Sequence, residues 1–272
     1  MNEQERIRDS VATAYTKAVE QGAGCCGPKG VAAKLAGYGA EAGALAQAQQ
    51  DSFGCGNPLA FSQVHEGDTV LDLGSGAGLD LLLAARKVGS EGRVIGVDMT
   101  DAMIERARAN VAREGAGNVE VRKGIIEDLP VESASVDWVI SNCVINLSPD
   151  KPRVFSQIAR VLKPGGRMLV SDIVADELPR WARESEAVHA SCVGGAISQD
   201  AYVAGLRAAG LVDIEARAGH TYDAAQLTDL LLSETPEGAQ ASGCCGTFAV
   251  GSAARELEGK VKSVSFYARK PG

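Results

Sequence analysis

The cysteines are the residues of this chain with the most distinctive chemistry. Four of the seven form two identical tetrads, Gly24-Cys25-Cys26-Gly27 and Gly243-Cys244-Cys245-Gly246, and the others are Cys55, Cys143 and Cys192. No pair has the C-x-x-C spacing of zinc ribbons and thioredoxin-like sites. In a reducing compartment such thiols bind metals, carry out redox reactions or lie buried and inert. The spacing alone leaves these possibilities open.

The composition narrows the compartment and the partners. The N-terminus is charged with no apolar stretch behind it, and no apolar run approaches the ~18 residues of a membrane span, so we expect a cytoplasmic protein. The net charge is −8 and aromatic residues make up 4%. An acidic chain repels phosphate backbones and anionic lipids, and few aromatic rings are present for stacking on bases. We therefore expect no nucleic-acid partner and no membrane partner.

A glycine-rich turn with nearby carboxylates is the second feature that indicates chemistry. The turn Gly74-Ser75-Gly76-Ala77-Gly78 follows Asp72, and Asp98 closes the next predicted strand, where a carboxylate can hold both hydroxyls of a ribose. The turn alone fits any doubly wound protein, but the acids favour a nucleoside cofactor, either NAD or S-adenosylmethionine. The predicted cofactor-binding residues are Asp72, Gly74, Ser75, Gly76, Gly78, Asp98, Met99, Ile126, Glu127 and Asn142, with Asp128 as the alternative to Glu127.

The elements that must position these residues follow from alternating apolar runs and helical periods. This alternation predicts an α/β fold with a doubly wound, mostly parallel, Rossmann-like sheet. Strands are predicted over 69–74, 93–99, 119–124, 136–144 and 167–174, with helices over 11–19, 79–89, 101–115, 151–166, 178–195 and 198–210. A last strand over 260–270 is predicted at the sheet edge, and residues 233–254 are predicted to form a flexible polar loop.

Several motifs together resemble a known family. The pattern G-x-G-x-G at 74–78 and "VLKPGG" resemble class I S-adenosylmethionine methyltransferases. "SNCVINLSPDK", "FGCGNP", "GVDMT" and "ASCVGGAIS" closely resemble the arsenite S-adenosylmethionine methyltransferases, over roughly residues 20–215. The resemblance assigns the family's working thiols to Cys55, Cys143, Cys192 and Cys26, or Cys25 beside it. Paired tyrosines are common in that family where this chain has Asp51-Ser52-Phe53.

The resemblance implies a specific chemistry. Trivalent arsenic is thiophilic, and Cys55, Cys143 and Cys192 would hold it while S-adenosylmethionine methylates it. Arsenite and methylated trivalent arsenicals would be the substrates and products. Cys26 with Cys55 is the candidate pair that supplies electrons by forming a disulfide, later reduced by thioredoxin or glutathione. Cys244 and Cys245 either pre-bind arsenite or are idle; a strained vicinal disulfide is disfavoured.

The role of His189, the domain boundaries and the alternative functions can also be considered from the sequence. His189, three residues before Cys192, either takes a proton from that thiol or, as we favour, is a solvated or hydrogen-bonded surface residue. The predicted divisions are a cysteine-bearing extension (1–58), a methyltransferase domain (59–176) and a smaller arsenic-binding C-terminal domain with a mobile cysteine loop (177–272). The alternatives are a class I methyltransferase acting on carbon or oxygen of a small organic molecule, and a non-catalytic thiol sensor or carrier of metalloids.

Overall fold

A seven-stranded sheet organises the computed structural model, which describes residues 2–21, 45, 48, 63–184, 188–189, 192–232 and 244–272. The strands are β1 (Thr69–Leu73), β2 (Arg93–Asp98), β3 (Val119–Lys123), β4 (Val136–Asn142), β5 (Leu162–Ala175), β6 (Val212–Thr221) and β7 (Val261–Arg269). Their order is β3-β2-β1-β4-β5-β7-β6, with β7 antiparallel to both neighbours. The predicted doubly wound, mostly parallel sheet is confirmed.

Helices lie on both faces of the sheet. Those described are α1 (Glu3–Gln21), α2 (Leu79–Val88), α3 (Asp101–Glu114), α4 (Lys151–Val161), α5 (Arg180–Glu184), α6 (Gln199–Ala208), α7 (Ala224–Leu232) and α8 (Cys244–Leu257). One apolar cluster joins α2 and α3 to one face, and a second joins α4 and α6 to the other. Because both faces are covered, the central strands read as continuous apolar runs.

The point at which the strand order reverses determines where a ligand can bind to this sheet. β1 pairs with β2 on one side and with β4 on the other, so the crossover connections diverge from this point in opposite directions. In open parallel sheets the carboxyl ends of the strands leave a crevice where the strand order reverses. Asp72, Asp98 and Asn142 lie at or beside the carboxyl ends of β1, β2 and β4.

The last third of the chain differs from the sequence-based expectation in two strands. The late strand, β7, is not at the sheet edge, because β6 pairs with its outer side. β6 was not predicted. Its half-buried positions, such as Ile214 and Ala216, alternate with exposed Glu215 and Arg217, as on an edge strand covered on one face only. The side chains on its covered face are too few and too small to give a strong apolar signal.

Five helices also differ from the prediction. α7 was not predicted, and α5 covers only Arg180–Glu184 of the helix predicted over 178–195, whose last residues, 192–195, form a turn. α8 occupies residues assigned to a polar loop, whose remaining part, 233–243, lies outside the described residues. Its small residues favour a loop in sequence, but Ala254 and Leu257 are fully buried and carry the helix onto the core. α4 ends at Val161 rather than near Pro164, because Leu162 already begins β5. α1 is longer than the predicted helix over 11–19, and no described helix is long and apolar enough to cross a membrane.

Candidate active site

A pocket with about 970 Å³ of empty space, partly open to solvent, occupies the crevice beside β1, β2 and β4. All ten residues predicted to bind a cofactor line it: Asp72, Gly74, Ser75, Gly76, Gly78, Asp98, Met99, Ile126, Glu127 and Asn142. Asp128, the alternative to Glu127, has a largely exposed side chain and does not line the pocket. The structure therefore brings the sequence-predicted set together around one cavity.

The glycine-rich turn shapes one wall of this pocket. Gly74, Gly76 and Gly78 all have positive φ angles, at 65°, 50° and 91°, which residues other than glycine rarely adopt. A Cβ at Gly74 would lie 2.4 Å from the Val144 side chain, whereas a Cβ at Gly76 would meet no protein atom within 4 Å. Gly74 thus allows the turn to pack against the segment after β4, and Gly76 leaves its backbone open towards the cavity.

Asp98 fixes the same turn from the end of β2. Its Oδ2 accepts a hydrogen bond from the Gly76 N–H and its Oδ1 accepts one from the Thr100 N–H, both at 2.9 Å. Burial raises the pKa of Asp98, and these backbone hydrogen bonds counteract part of that rise. A carboxylate held in this way is pre-oriented at the strand end where a ribose binds in nucleotide-binding sheets.

The pocket also concentrates negative charge. Asp72 is 2% exposed, and burial together with the carboxylates of Asp80 and Asp98 raises its pKa well above its usual range. Asn142 Nδ2 donates to Asp80 Oδ2 at 3.4 Å. Buried carboxylates that repel one another are stabilised in their charged form by a cationic ligand. This end of the pocket therefore favours a ligand with positive charge.

Helix α1 forms a further wall that the sequence analysis did not identify. Arg8, Val11 and Tyr15, spaced so that they share a helical face, all line the pocket. Arg8 Nε lies 3.6 Å from Glu127 Oε1, and Ser148 Oγ donates to the same oxygen at 2.6 Å. The amphipathic period of α1 was the available signal, but nothing in the sequence places this helix over the strand ends.

These features match the parts of S-adenosylmethionine. The acidic end suits its sulfonium and ammonium groups, Asp98 suits the ribose, and the segment at Ile126 and Glu127 suits an adenine. The open backbone at Gly76, where a Cβ would meet no protein atom within 4 Å, gives such a ligand room to approach the turn closely. The residues present therefore fit this cofactor.

Two cysteines lie together at the edge of the same pocket. Cys143 directly follows β4 and lines the cavity, while Cys192 lies 49 residues later in the chain. The Cys192 Sγ–H donates to the Cys143 backbone oxygen at 2.7 Å, and the residues are 3% and 4% exposed. Both have positive φ, at 60° and 63°, a strained conformation that is enriched at functional sites. The fold therefore joins a pair of buried thiols to the cofactor pocket.

The ring of His189 is hydrogen-bonded to the segment after Cys143, whereas its backbone oxygen accepts from the Cys192 N–H at 3.1 Å. Its Nε2 lies 3.2 Å from the Leu147 backbone oxygen, and because a carbonyl can only accept, Nε2 carries the proton. Burial lowers the pKa of His189, which favours the neutral ring. The geometry favours the hydrogen-bonded interpretation of this half-buried histidine, although not at a fully solvated surface.

The remaining cysteines are placed differently. Cys25, Cys26 and Cys55 lie outside the described residues. Cys244 and Cys245 begin α8, whose far end contributes Ala254 and Leu257 to the apolar cluster that contains Cys143 and Cys192. Within the part of the chain that the structure describes, no group of three or more His, Cys, Asp or Glu residues is arranged to hold a metal ion.

The fold and the pocket together define a methyltransferase that uses S-adenosylmethionine. The Methyltransferase domain family matches residues 64–210, just over half of the chain. An arsenite methyltransferase from Halobacterium salinarum is 43% identical over 229 residues, which cover 78% of this chain and 59% of that protein. An arsenite methyltransferase from Aquipseudomonas alcaligenes is 44% identical over 153 residues, covering 53% and 44% respectively.

A solved structure gives the same relationship. The crystal structure of an arsenic(III) S-adenosylmethionine methyltransferase from Chlamydomonas reinhardtii is 35% identical, with a TM-score of 0.62, and the match covers 85% of this chain and 72% of that one. The chain therefore belongs to the methyltransferase family, among the arsenite methyltransferases. It spans less than two thirds of the length of the two curated relatives above.

Proposed function

We propose that this protein methylates trivalent arsenic with S-adenosylmethionine as the methyl donor, and that Cys143, Cys192 and Cys55 hold the arsenic as thiolates. The observation that carries the proposal is the contact between Cys192 Sγ and the Cys143 backbone at the wall of the cofactor pocket. Cys55 is included on the motif resemblance, since it lies outside the described residues.

Thiol ligation suits arsenite for reasons of charge and softness. Arsenite near neutral pH is the uncharged As(OH)₃, so an acidic protein admits it without electrostatic penalty. Each thiol proton leaves with one hydroxide as water, which gives three As–S bonds and three water molecules, and soft sulfur ligands favour soft centres. The product keeps one lone pair on arsenic, which is the electron pair that the reaction needs.

The protein's own residues position this lone pair rather than move protons. S-adenosylmethionine, when bound, supplies an electrophilic methyl group and leaves as S-adenosylhomocysteine. The arsenic donates its lone pair to form the As–CH₃ bond and loses no proton, so no general base is required. Fixing two reactants side by side lowers the barrier by removing the entropy cost of their encounter. The burial of Cys143 and Cys192 also keeps water from the arsenic.

Methyl transfer leaves arsenic formally pentavalent, and two electrons return it to the trivalent state. We propose that the thiolate of Cys26, or of Cys25 beside it, attacks the arsenic-bound sulfur of Cys55, so that the As–S bond breaks, its electron pair returns to arsenic and a disulfide forms. Thioredoxin or glutathione would then reduce the disulfide by thiol–disulfide exchange, consistent with a cytoplasmic setting. Cys244 and Cys245, at the start of α8, are candidates for initial arsenite capture.

Arsenic speciation tests this proposal. The full chain is incubated with arsenite, S-adenosylmethionine and a thiol reductant, and methylated arsenic and S-adenosylhomocysteine are measured together. Both are expected to accumulate, and omission of arsenite should stop S-adenosylhomocysteine formation. A panel of small phenols and carbon acids serves as the matched acceptor control. Methyl transfer to that panel but not to arsenic, from protein with bound cofactor, would contradict the proposal.

A further inference from the structure

The turn that follows Cys143 is held by side chains from outside it. This turn, residues 143–148 and hereafter the Cys143 turn, contains the short 3₁₀ helix Ile145–Leu147. Its backbone oxygens at residues 146, 147 and 148 all accept from side chains. Lys151 Nζ donates to the oxygens of Asn146 and Ser148 at 3.1 and 3.0 Å, and His189 donates to that of Leu147. A turn with three consecutive carbonyls bound in this way has little freedom to move.

Lys151 is an unusual residue at its position. It is the first residue of α4, where the positive end of the helix dipole disfavours a cation. Its side chain nevertheless folds back onto the Cys143 turn and is largely buried, which lowers its pKa. The carboxylates of Asp172 and Glu127 oppose that decrease, and so does Cys192 when its thiol is ionised. The ammonium therefore lies among groups from the thiol pair, the sheet and the cofactor pocket.

Both sides of the Cys143 turn are tied to a functional region. Towards the cofactor, Ser148 Oγ donates to Glu127 Oε1 at 2.6 Å. Towards the second thiol, the segment after Cys192 lies directly against Asn146, since a Cβ on Gly195 would be 2.0 Å from the Asn146 oxygen. The Asn146 backbone oxygen therefore accepts a hydrogen bond from Lys151 and also contacts the segment that follows Cys192.

We infer that Lys151 is the positioning residue of the thiol pair: its ammonium closes the Cys143 turn and holds the Cys143 and Cys192 backbones at the spacing that arsenic requires. This inference rests on the proposed function, because it assigns Cys143 and Cys192 to arsenic. Lys151 acts through the turn, and it does not line the cofactor pocket. Since four residues of the turn line that pocket (Cys143, Val144, Leu147 and Ser148), removal of the ammonium is expected to weaken arsenite binding strongly and cofactor binding only slightly.

Steady-state kinetics separate these effects. Lys151→Met keeps the length of the side chain and removes its charge and donors. We expect the KM for arsenite to rise about tenfold or more, the usual effect of losing a residue that orients metal ligands, while the KM for S-adenosylmethionine changes less than about twofold. The matched control is Lys163→Met, since Lys163 is also a partly buried lysine whose ammonium has a partner, Asp137 at 2.8 Å, but it lies at the opposite end of β5 from the site. This control is expected to behave as wild type.

A thiol-binding measurement keeps the test independent of methylation. In a chain with Cys25, Cys26, Cys55, Cys244 and Cys245 changed to serine, the two remaining thiols should bind one equivalent of phenylarsine oxide, which takes two thiols. Adding Lys151→Met should weaken this binding about tenfold or more, whereas Lys163→Met should not. If Lys151→Met does not fold, Lys151→Arg, with longer and planar donors, should change both readouts in the same direction by a smaller factor.

The outcomes distinguish the two proposals. Failure of the wild-type chain to methylate arsenic, or of the two-thiol chain to bind phenylarsine oxide, counts against the proposed function. Intact wild-type behaviour with an unchanged arsenite KM and unchanged phenylarsine oxide binding in the folded Lys151 variants overturns the role of Lys151. Equal losses for arsenite and for S-adenosylmethionine also overturn it, because they indicate a general loss of structure.

Discussion

The cofactor pocket and the thiol pair share a wall at Cys143, yet they are assembled in different ways. Apart from α1, the residues that line the pocket come from positions 72 to 148, at the ends of neighbouring strands and in the segments that directly follow them. The thiol pair joins two residues that are 49 positions apart, both in strained backbone conformations. The pocket therefore follows from local motifs on a regular sheet, whereas the thiol pair depends on how separate segments pack together.

This difference predicts that the two regions can be damaged independently. The largest effect is expected for Cys192→Ser, which replaces a soft ligand by a hard one and should lower arsenic methylation at least about 100-fold. The affinity for S-adenosylmethionine should stay within about twofold of wild type, because Cys192 does not line the pocket. Cys244→Ser, assayed at saturating arsenite, is the matched control, because a capture role would not change the rate there. A parallel loss of cofactor affinity in calorimetry would show that the regions are not separable.

Asp98→Asn makes the reciprocal change in the cofactor pocket. It removes the charge and leaves an amide N–H₂ facing either the Gly76 N–H or the Thr100 N–H, where an acceptor is needed. Hydrogen bonds to charged groups are worth about 1.5–3 kcal/mol, so the Kd for S-adenosylmethionine should rise about tenfold or more. Asp101→Asn is the control, since that carboxylate is exposed.

The thiol pair supplies the second readout for this substitution. Phenylarsine oxide should bind Asp98→Asn as it binds the wild-type chain, because Asp98 contacts neither Cys143 nor Cys192 in any interaction that the structure shows. Weakened phenylarsine oxide binding in the folded Asp98→Asn protein, but not in Asp101→Asn, would mean that the turn also supports the thiols.

The raised pKa of Asp72 predicts a pH dependence that belongs to the cofactor pocket. In the protein without cofactor, this pKa is raised by burial and by the carboxylates of Asp80 and Asp98. A bound cation would lower it again. The affinity for S-adenosylmethionine should therefore fall as the pH decreases through the raised pKa, by up to about tenfold per pH unit. S-adenosylhomocysteine, which lacks the sulfonium charge, should show a weaker trend. Equal slopes for the two ligands in calorimetry would contradict this origin.

Much of the fold and the pocket could be predicted because both depend on short-range patterns. Apolar runs that alternate with amphipathic helices specify the parallel sheet, and each predicted cofactor residue stands at a strand end or in the adjoining turn. Cys143 could be placed at its strand end for the same reason. Its approach to Cys192 was implied by the family resemblance alone, because two positive-φ turns and the packing of Gly195 on Asn146 bring the two residues together and no local pattern indicates this.

The missed features share a physical cause. Lys151 and Arg8 read as ordinary solvated charges in the sequence, and only tertiary packing turns their side chains towards the Cys143 turn and Glu127. β6 and α8 were missed because small or alternating side chains give weak periodicity, while neighbours such as β7 and α7 provide the surface that stabilises them. Contacts between residues distant in sequence stabilise these features, and no local sequence motif predicts such contacts.

The smallest effect is expected at the second cysteine tetrad. If Cys244 and Cys245 capture arsenite, Cys244→Ser combined with Cys245→Ser should lower the methylation rate several-fold at low arsenite and leave the saturated rate unchanged. The pair lies at the start of α8, away from the end of the helix that packs near Cys143 and Cys192. Rates at limiting and saturating arsenite provide the test. Unchanged rates at both concentrations would leave the pair without a capture role.

Cys143→Ser gives the most direct test of the central claim, because Cys143, of the two predicted arsenic ligands that the structure describes, is the one on the cofactor pocket wall. Excess protein is mixed with arsenite, S-adenosylmethionine and reductant, and methylated arsenic is quantified over a single turnover beside calorimetric cofactor binding. We predict that the variant binds S-adenosylmethionine as wild type does and forms no methylated arsenic. Methylated arsenic at the wild-type rate would contradict the claim that the Cys143 thiol holds the arsenic during methyl transfer.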